Sequence, residues 1–466
     1  MAAQHPNVLF VFADQMRGTD MGCAGNGEVQ TPNMDRLAAE GTRFSHAFAN
    51  CPVCTPSRAM LLSSRYPLSN RVIANDLPLP EDLPTIGAAF RDAGYRTGYI
   101  GKWHLDGVPR DKWTLPGPRR HGFDDWAAFN CSHNYFRPNK YYRDAPEAVM
   151  AEGYEPEVQT DLALQFLAKP EVRPFCLFLS WGPPHDPYPM VPERYKAQYA
   201  PQQLTLRPNV RPLQPASIRL ARNLEPRQTL ADYYAAITAL DEQLGRLLDA
   251  LQAGGLADNT VVVFTSDHGD QLWSHGTMKK QQPYEESIGV PLLVRWPDRI
   301  PAGRLSDALV SIIDYTPTLL DLAGLPALPS AQGESRAELL LGRQAQGADA
   351  VFLMDITQMD ESQVQQLPEW RGLRTQRYTY VRRQDGADWL LFDNERDPYQ
   401  LENRIIDSSY AVTRQHLATQ LNAWLERTGD EMRTGRESLR ALGLIELWNA
   451  RERELHPAAP EILVGG

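Results

Sequence analysis

Continuous apolar runs recur along the first two thirds of the chain, and each of them ends in polar or charged residues. Short runs of this kind are typical of central strands that are covered on both faces of a sheet. The pattern predicts strands over residues 7–13, 96–100, 175–181, 260–266 and 290–295. Because open α/β sheets collect their sites at the carboxyl ends of strands, the residues that follow these runs are the first candidates for chemistry.

Segments with helical spacing of apolar residues alternate with these runs. The clearest lies over residues 228–251, where the spacing predicts a long amphipathic helix. Shorter helices, each closed by a glycine, are predicted over residues 31–41, 82–94 and 314–324. Two stretches rich in proline and arginine are predicted to be long excursions: residues 106–154, with little regular structure, and residues 189–226, on the surface.

The C-terminal part of the chain has a different pattern. Residues 371–380 and 389–393 predict short antiparallel strands around the Asp385-Gly386 turn, and residues 410–427 and 439–455 predict helices followed by a frayed end. A chain of 466 residues suits one large α/β domain plus a smaller one. We therefore expect a domain over residues 1–345 and a smaller α+β unit with a helical tail over residues 346–466.

Composition and charge narrow the class of partner. A hydrophobic content of 42% and a charged content of 23% are ordinary for a soluble globular protein. The net charge of −11 argues against nucleic acid, and an anionic substrate would need a locally positive pocket. No stretch approaches the length of a membrane-spanning helix, so we expect no membrane partner. The first residues lack the features of a signal peptide, which favours a cytoplasmic location and leaves a periplasmic one open if a leader was removed.

The cysteines are sparse and odd in number, which does not suggest a disulfide framework. They are Cys23, Cys51, Cys54, Cys131 and Cys176. A reducing compartment is the simpler explanation. Cys51 and Cys54 form a C-x-x-C pair, but neither a second pair nor a thioredoxin-like context accompanies them.

Cys54 stands at the start of a predicted helix. Pro56 suits the first turn, and good helix formers follow from Ala59 onward. The free N–H groups and the positive dipole end of that helix would point at the thiol. Arg58, about one turn on, adds a guanidinium whose fork geometry suits an oxyanion. The pattern predicts an anion site at Cys54; the alternative is a buried structural thiol.

Polar and ionisable side chains follow the ends of four of the predicted strands. They are, in chain order, Asp14 and Gln15, Lys102 and His104, His185, and Asp267 and His268. Carboxylates and a histidine that converge at strand ends are typical of a metal site. Each group also has an ordinary explanation, as a cap or turn aspartate, a surface lysine or a satisfied histidine.

In combination, these motifs resemble the signatures of the type I sulfatases, a family of the alkaline phosphatase-like superfamily. The matches occur in the family's order and extend from residue 7 to about residue 403. They are Asp14 at a strand end, C-T-P-S-R at 54–58, G-K-W-H-L at 101–105, P-H-D-P at 184–187, S-D-H-G-D at 266–270 and K-x-x-x-Y-E at 280–285. Two positions depart from the family: Gln15 replaces a second aspartate and Ser64 replaces a glycine.

The resemblance implies a fold and two cofactors. The fold would be a large mixed sheet between helices, followed by a small antiparallel sheet with a helix. A formylglycine-generating enzyme, which reads C-x-P-x-R, would oxidise Cys54 to Cα-formylglycine. One divalent ion would be bound by Asp14, Asp267, His268 and residue 54, with Gln15 assisting. The oxygen ligands suggest Ca²⁺, and Mn²⁺ or Mg²⁺ stay open.

The implied reaction is hydrolysis of a sulfate monoester to an alcohol and inorganic sulfate. The hydrated aldehyde at position 54 would attack sulfur, while the metal, Arg58, Lys102 and Lys280 neutralise the sulfate oxygens. His185 or Lys280 would protonate the leaving alcohol. His104 would then take the proton from the remaining hydroxyl, so that sulfate leaves and the aldehyde returns.

The sulfated alcohol is a separate prediction. We predict exo-acting removal of sulfate from a carbohydrate, because several polar and aromatic residues could hold a sugar ring. These residues are Asn75, His133, Tyr135, Trp181 and Trp273. The alternatives are an aryl or alkyl sulfatase whose rings only pack the loops, a phosphate or phosphonate ester hydrolase of the same superfamily, and a non-catalytic binder of sulfated glycans.

Overall fold

The computed structural model describes residues 5–136 and 139–457. The frayed end expected after residue 455 lies, from residue 458 on, outside the described residues. The strands in the described part are β1 (Asn7–Asp14), β2 (Thr42–Phe44), β3 (Ala47–Phe48), β4 (Arg96–Lys102), β5 (Asp125–Phe129), β6 (Asn139–Tyr141), β7 (Val149–Ala151), β8 (Phe175–Pro184), β9 (Thr260–Ser266), β10 (Leu292–Arg295), β11 (Arg304–Ser306), β12 (Val310–Ser311), β13 (Ala350–Asp355), β14 (Trp370–Thr375), β15 (Tyr378–Arg383) and β16 (Asp388–Asp393).

The helices in the described part of the chain range from single turns to one helix of 28 residues. They are α1 (Pro32–Ala39), α2 (Cys54–Ser63), α3 (Pro67–Asn70), α4 (Ile86–Asp92), α5 (Glu155–Leu167), α6 (Glu193–Lys196), α7 (Pro226–Ala253), α8 (Glu285–Ile288), α9 (Tyr315–Leu322), α10 (Ala337–Leu340), α11 (Asp360–Gln365), α12 (Ala411–Thr428), α13 (Gly435–Ala441) and α14 (Ile445–Leu455). The long amphipathic helix predicted over residues 228–251 is confirmed as α7. Within the described ranges, no helix combines the length and apolar character needed to cross a membrane.

The large sheet is mixed and has eight strands in the described residues, in the order β11-β2-β10-β9-β1-β8-β4-β5. Neighbours from β9 to β5 pair in parallel, while β10 runs antiparallel to both β9 and β2. The register places Ala13 beside Ser266 and Asp14 beside Pro184. The carboxyl ends of β1, β8 and β9 therefore lie together at one edge of the sheet, as the apolar runs predict.

Helices cover both faces of this sheet, because alternate side chains of the buried strands enter two different cores. Val8, Phe10 and Phe12 of β1 belong to one core, which also contains apolar residues of α2, α9 and α12. Leu9 and Val11 face the other core, with residues of α1, α5 and α7. The predicted α/β class, a large mixed sheet sandwiched by helices, is confirmed.

The C-terminal part forms a four-stranded antiparallel sheet in the order β13-β14-β15-β16. The smaller sheet predicted from the sequence is therefore confirmed, with α12 to α14 after it. Its apolar residues, among them Phe352 and Leu391, share one core with the large sheet. The proposed boundary near residue 345 falls between α10 and β13, and the division into two domains stays a prediction.

One expected loop contains strands, and two strands of the small sheet were not predicted separately. Residues 106–154 hold β5, which adds a parallel edge strand to the large sheet, and the β6–β7 ladder. The strand β13 was not predicted, and residues 371–380 contain two strands, β14 and β15, rather than one. These strands are short, and β5 and β13 lack strict alternation, so pairing with a neighbouring strand determines them more than local pattern does.

Candidate active site

The predicted reactive residues converge at the carboxyl edge of the large sheet. Asp14 ends β1, Lys102 ends β4, and the residues after β8 and β9 lie beside them. Cys54 is the first residue of α2, so the predicted helix start is confirmed. All residues of α2 are buried, and the Ser57 N–H already continues the helix by donating to the Val53 carbonyl (2.9 Å). The thiols of Cys51 and Cys54 are both free, with no bond between them.

Asp14, Cys54, Asp267 and His268 form a buried cluster whose candidate ligand atoms all lie within 4.8 Å of one another. The Cys54 Sγ atom is 3.2 Å from His268 Nε2 and 3.7 Å from Asp14 Oδ1. His268 Nδ1 donates to the Gly269 carbonyl (3.0 Å), which leaves Nε2 as the atom that faces the cluster. Two carboxylates, an imidazole nitrogen and the group at position 54 fit a divalent ion.

The electrostatics of the cluster also fit a cation. Burial, together with repulsion by the neighbouring Asp14 carboxylate, raises the pKa of Asp267. A divalent ion between the two carboxylates would relieve that repulsion. Gln15 lies next to the cluster: its Nε2 donates to Asp270 Oδ2 (2.6 Å) and its Oε1 accepts from Lys280 Nζ (2.9 Å). The Gln15 amide thus bridges Lys280 and Asp270. Its role in metal binding stays a prediction.

Arg58 holds the two carboxylates rather than facing an open cavity. Its Nε donates to Asp267 Oδ2 (3.0 Å) and its Nη2 donates to Asp14 Oδ2 (3.2 Å). Its Nη1 donates to the Lys102 carbonyl and to Ser180 Oγ. Every guanidinium nitrogen therefore has a protein partner, and only 1% of the side chain is exposed. The charge of Arg58 acts on the site through Asp14 and Asp267.

Two lysines approach position 54. Lys102 Nζ lies 4.0 Å from Cys54 Sγ and pairs with Asp14 Oδ2 at 2.5 Å, and Lys280 Nζ lies 3.3 Å from the same sulfur. Burial raises the pKa of the Cys54 thiol. The charges of Lys102, Lys280 and His268 lower it by more, so the pKa of the thiol is well below its ordinary value. Two lysine ammonium groups therefore lie close to position 54 despite the net negative charge of the chain.

His133 and His185 stack face to face, with ring centroids 4.1 Å apart and planes 7° from parallel. His185 Nε2 accepts from Lys280 Nζ (2.8 Å), and His133 Nε2 lies 3.3 Å from Lys102 Nζ. Burial, the neighbouring imidazole of His185 and the charge of Lys102 lower the pKa of His133 to about 4. A neutral His133 therefore lies beside the reacting groups, as a substrate-binding candidate should.

His104 pairs with an acid that the sequence analysis did not single out. Its Nε2 lies 3.0 Å from Asp76 Oδ1. Burial lowers the pKa of His104, but Cys131 and Asp76 raise it more, to about 10. The Cys131 thiol was also missed; burial raises its pKa, and His104, Lys102 and His133 lower it below the ordinary value. No motif spacing connects Asp76 or Cys131 to His104, so tertiary contact is the only signal.

The remaining substrate-binding candidates have other contacts. Asn75 Oδ1 accepts from the Thr55 N–H (3.0 Å), and the Tyr135 hydroxyl donates to the His185 carbonyl (2.9 Å). Both residues are buried, and their hydrogen bonds hold the backbone next to Cys54 and at His185. Trp181 is fully buried and Trp273 is 5% exposed; both pack in the hydrophobic core. Trp181 lies within β8 and Trp273 in the loop after β9, and both indoles are enclosed by core residues.

The fold and this buried cluster place the protein among the alkaline phosphatase-like enzymes. A family model described as Sulfatase matches residues 6–325, and a second, described as N-sulphoglucosamine sulphohydrolase, C-terminal, matches residues 273–427. The first match covers more than half of the chain. The chain therefore belongs to the sulfatase family and is a sulfuric ester hydrolase.

Relatives align along most of the chain. The Ulvan-active sulfatase of Formosa agariphila is 36% identical over 435 residues, which cover 92% of this chain and 83% of that protein. The Endo-4-O-sulfatase of Bacteroides thetaiotaomicron is 32% identical over 472 residues, which cover 89% of this chain and 90% of that protein. A solved structure in complex with its substrate D-glucosamine-2-N,6-O-disulfate matches with a TM-score of 0.80 at 26% identity, covering 92% of this chain and 99% of that one.

Proposed function

We propose that this protein hydrolyses a sulfate monoester of a carbohydrate, with Cys54 converted to formylglycine and one divalent ion bound beside it. The observation that carries the proposal is the convergence on position 54 of two lysines and a buried acid–imidazole cluster. The carbohydrate is supported by a relative whose name specifies ulvan and by a matched structure that holds a sulfated glucosamine.

The two groups that the family implies would supply what the side chains lack. A hydrated formylglycine supplies a hydroxyl nucleophile and a second hydroxyl through which the aldehyde is regained. A divalent ion supplies a Lewis acid that polarises a sulfate oxygen. Asp14, Asp267 and His268 would hold the ion with residue 54, and oxygen-rich ligation favours Ca²⁺, with Mg²⁺ and Mn²⁺ as alternatives.

The chain's own cations would bind the sulfate. The Nζ atoms of Lys102 and Lys280 lie 4.0 and 3.3 Å from the sulfur at position 54. Both donors are fixed by other contacts before a substrate arrives, so they need little reorganisation as charge develops on the sulfate oxygens. Arg58 would keep the metal carboxylates in place.

Two histidines would move protons. His185 and Lys280 form a hydrogen-bonded pair that can deliver a proton to the leaving alcohol oxygen. His104, held at Nε2 by Asp76, would exchange a proton at Nδ1 with the group at position 54. Burial of all three side chains excludes water and strengthens these interactions.

The experiment is a side-by-side turnover assay of matured enzyme on sulfated monosaccharides, nitrophenyl sulfate and nitrophenyl phosphate. A sugar sulfate should give the highest kcat/KM. The variant His133→Ala should lower kcat/KM for that sugar more than for the aryl ester, because the imidazole can hydrogen-bond a sugar hydroxyl, which the nitrophenyl ring lacks. Turnover of aryl sulfate alone would leave a sulfatase with a different alcohol, and preference for the phosphate ester would contradict the proposed reaction.

A further inference from the structure

Asn75 and Asp76 form a short buried segment against the first turn of α2. Asn75 Oδ1 accepts from the backbone N–H of Thr55 (3.0 Å), and the backbone N–H of Asp76 donates to Thr55 Oγ1 (3.2 Å). Asp76 adopts a left-handed backbone conformation, with φ at 61°. Because Thr55 directly follows Cys54, these two bonds fix the segment relative to the reacting position.

The carboxylate of Asp76 also holds the catalytic imidazole. Its Oδ1 accepts from His104 Nε2 (3.0 Å), and Arg110 donates to both oxygens from Nε and Nη2 (2.8 Å each). An imidazole whose Nε2 is held by a carboxylate has a fixed ring orientation; in nucleophile–base–acid triads a carboxylate orients the base in a similar way, through the other ring nitrogen. With Nε2 held by Asp76, the buried Nδ1 atom of His104 is the nitrogen left to interact with the side chains at Cys54 and Cys131.

A second arginine reaches Asp76 from the far end of the chain. Arg451 of α14 is fully buried, and its Nε donates to Asp76 Oδ2 (3.3 Å) and to the Asn75 carbonyl (3.2 Å). Its Nη2 pairs with Asp360 and its Nη1 pairs with Glu452. The guanidinium therefore has a partner on every nitrogen, and it connects the last helix, the start of α11 and the Asn75–Asp76 segment.

A buried arginine among acids adds little stability compared with an apolar side chain of similar size, because desolvation offsets the attraction. Its geometry, by contrast, is restrictive: the planar fork contacts Asp76 and Asp360 at the same time. A residue that only fastened α14 to the core would not need to contact the acid that holds His104.

We propose that Asp76 is the positioning residue for His104 and that Arg451 holds Asp76 in place, so that the last helix helps to orient the catalytic histidine. The inference rests on the proposed function for the role of His104, but the orientation itself can be measured without any turnover.

The first measurement uses the full chain with Cys54 unmodified and with ¹⁵N-labelled histidine. The hydrogen-bonded Nε2–H signal of His104, assigned by its loss in His104→Gln, should be present in the wild type. It should be lost in Asp76→Asn and clearly shifted in Arg451→Lys, which keeps the charge but not the fork. Arg453→Lys, on the same helix but exposed, should leave it unchanged.

The second measurement is steady-state kinetics of the matured variants on the best sulfate ester. Asp76→Asn should lower kcat about 100-fold, the size of a misplaced general base, and Arg451→Lys about tenfold, as expected for a small misplacement of the imidazole. KM should change less than kcat, because Lys102 and Lys280 do not contact the Asp76 carboxylate. The Tm of each variant shows whether it is folded.

An unchanged His104 signal in folded Asp76→Asn would overturn the proposal, and an unchanged signal in folded Arg451→Lys would reduce Arg451 to a structural residue. Should Arg451→Lys fail to fold, the isosteric Asp76→Asn and the kcat-to-KM comparison still decide the role of Asp76. If the matured chain hydrolyses no sulfate ester, the proposed function fails, while the imidazole signal continues to report on the positioning.

Discussion

The Nζ atom of Lys280 lies 2.8 Å from Nε2 of His185. On the other side of the ring, His185 Nδ1 lies 2.8 Å from the Asp186 carbonyl oxygen, which can only accept. Nδ1 therefore carries the hydrogen, and Nε2 accepts from the lysine ammonium. Because Lys280 is also 3.3 Å from the sulfur at position 54, this pair lies where a leaving oxygen would need a proton.

This geometry predicts a dependence on the leaving group. His185→Gln should lower kcat/KM for a sugar or alkyl sulfate about 100-fold or more, because an alkoxide must be protonated as it leaves. For nitrophenyl sulfate the loss should be much smaller, since a nitrophenolate leaves readily without an acid. The measurement is kcat/KM on both esters. The control is His416→Gln on the exposed face of α12, which should change neither value; equal losses on both esters in His185→Gln would rule out the acid role.

A second prediction concerns the divalent ion. Added Ca²⁺ should raise the Tm of the wild type, because an ion that binds only the folded state stabilises it. Asp267→Asn should abolish this shift and the bound metal seen by native mass spectrometry. Asp249→Asn, at an exposed carboxylate on α7, should retain both. Full activity after exhaustive chelation, with no metal detected, would contradict the assignment, and a larger shift with Mg²⁺ or Mn²⁺ would replace Ca²⁺.

A third prediction concerns maturation. Only Cys54 has proline two positions on and arginine four positions on, so peptide fragmentation should place formylglycine at Cys54 and an unchanged thiol at Cys51. Since Cys54 is 2% exposed in the folded chain, co-expression with the formylglycine-generating enzyme should modify it, whereas treatment of the purified, folded Cys54 form should not. An active enzyme that retains the Cys54 thiol would contradict this prediction.

A fourth prediction concerns acid stability. Burial, which outweighs a backbone hydrogen bond, lowers the pKa of His121 from 6.5 to about 4. The unfolded chain therefore binds a proton that the folded chain does not, and stability is lost as the pH falls from about 6.5 to about 4. The loss amounts to about 3 kcal/mol at most. In His121→Asn, which tolerates the local φ of 48°, Tm should fall less between pH 7 and pH 4.

The matched control for this acid effect is His416→Asn, because His416 is exposed on α12. Its Tm should show the same pH dependence as the wild type. An identical pH dependence in His121→Asn and the wild type would show that His121 does not contribute.

Much of the fold, and those site residues that lie in contiguous motifs, could be predicted from local sequence. The apolar run that ends at Asp14 and the periodicity of residues 228–251 are properties of neighbouring residues, and they fixed the centre of the sheet and the longest helix. The motif from Cys54 to Arg58 and the pair Asp267-His268 are contiguous, so the candidate reacting position and two candidate metal ligands were visible as strings of residues.

Only the tertiary structure determined the contacts that orient these groups. Arg451 and Asp76 are 375 residues apart in the chain, and no periodicity or spacing links them. Trp181 lies four residues before His185, but it is inside β8 and packs into the core with residues of α5 and α7, whereas His185 follows the end of the strand. The sequence alone thus determined which groups are candidates for the chemistry, whereas long-range packing decided which side chains face the site and which acid holds His104.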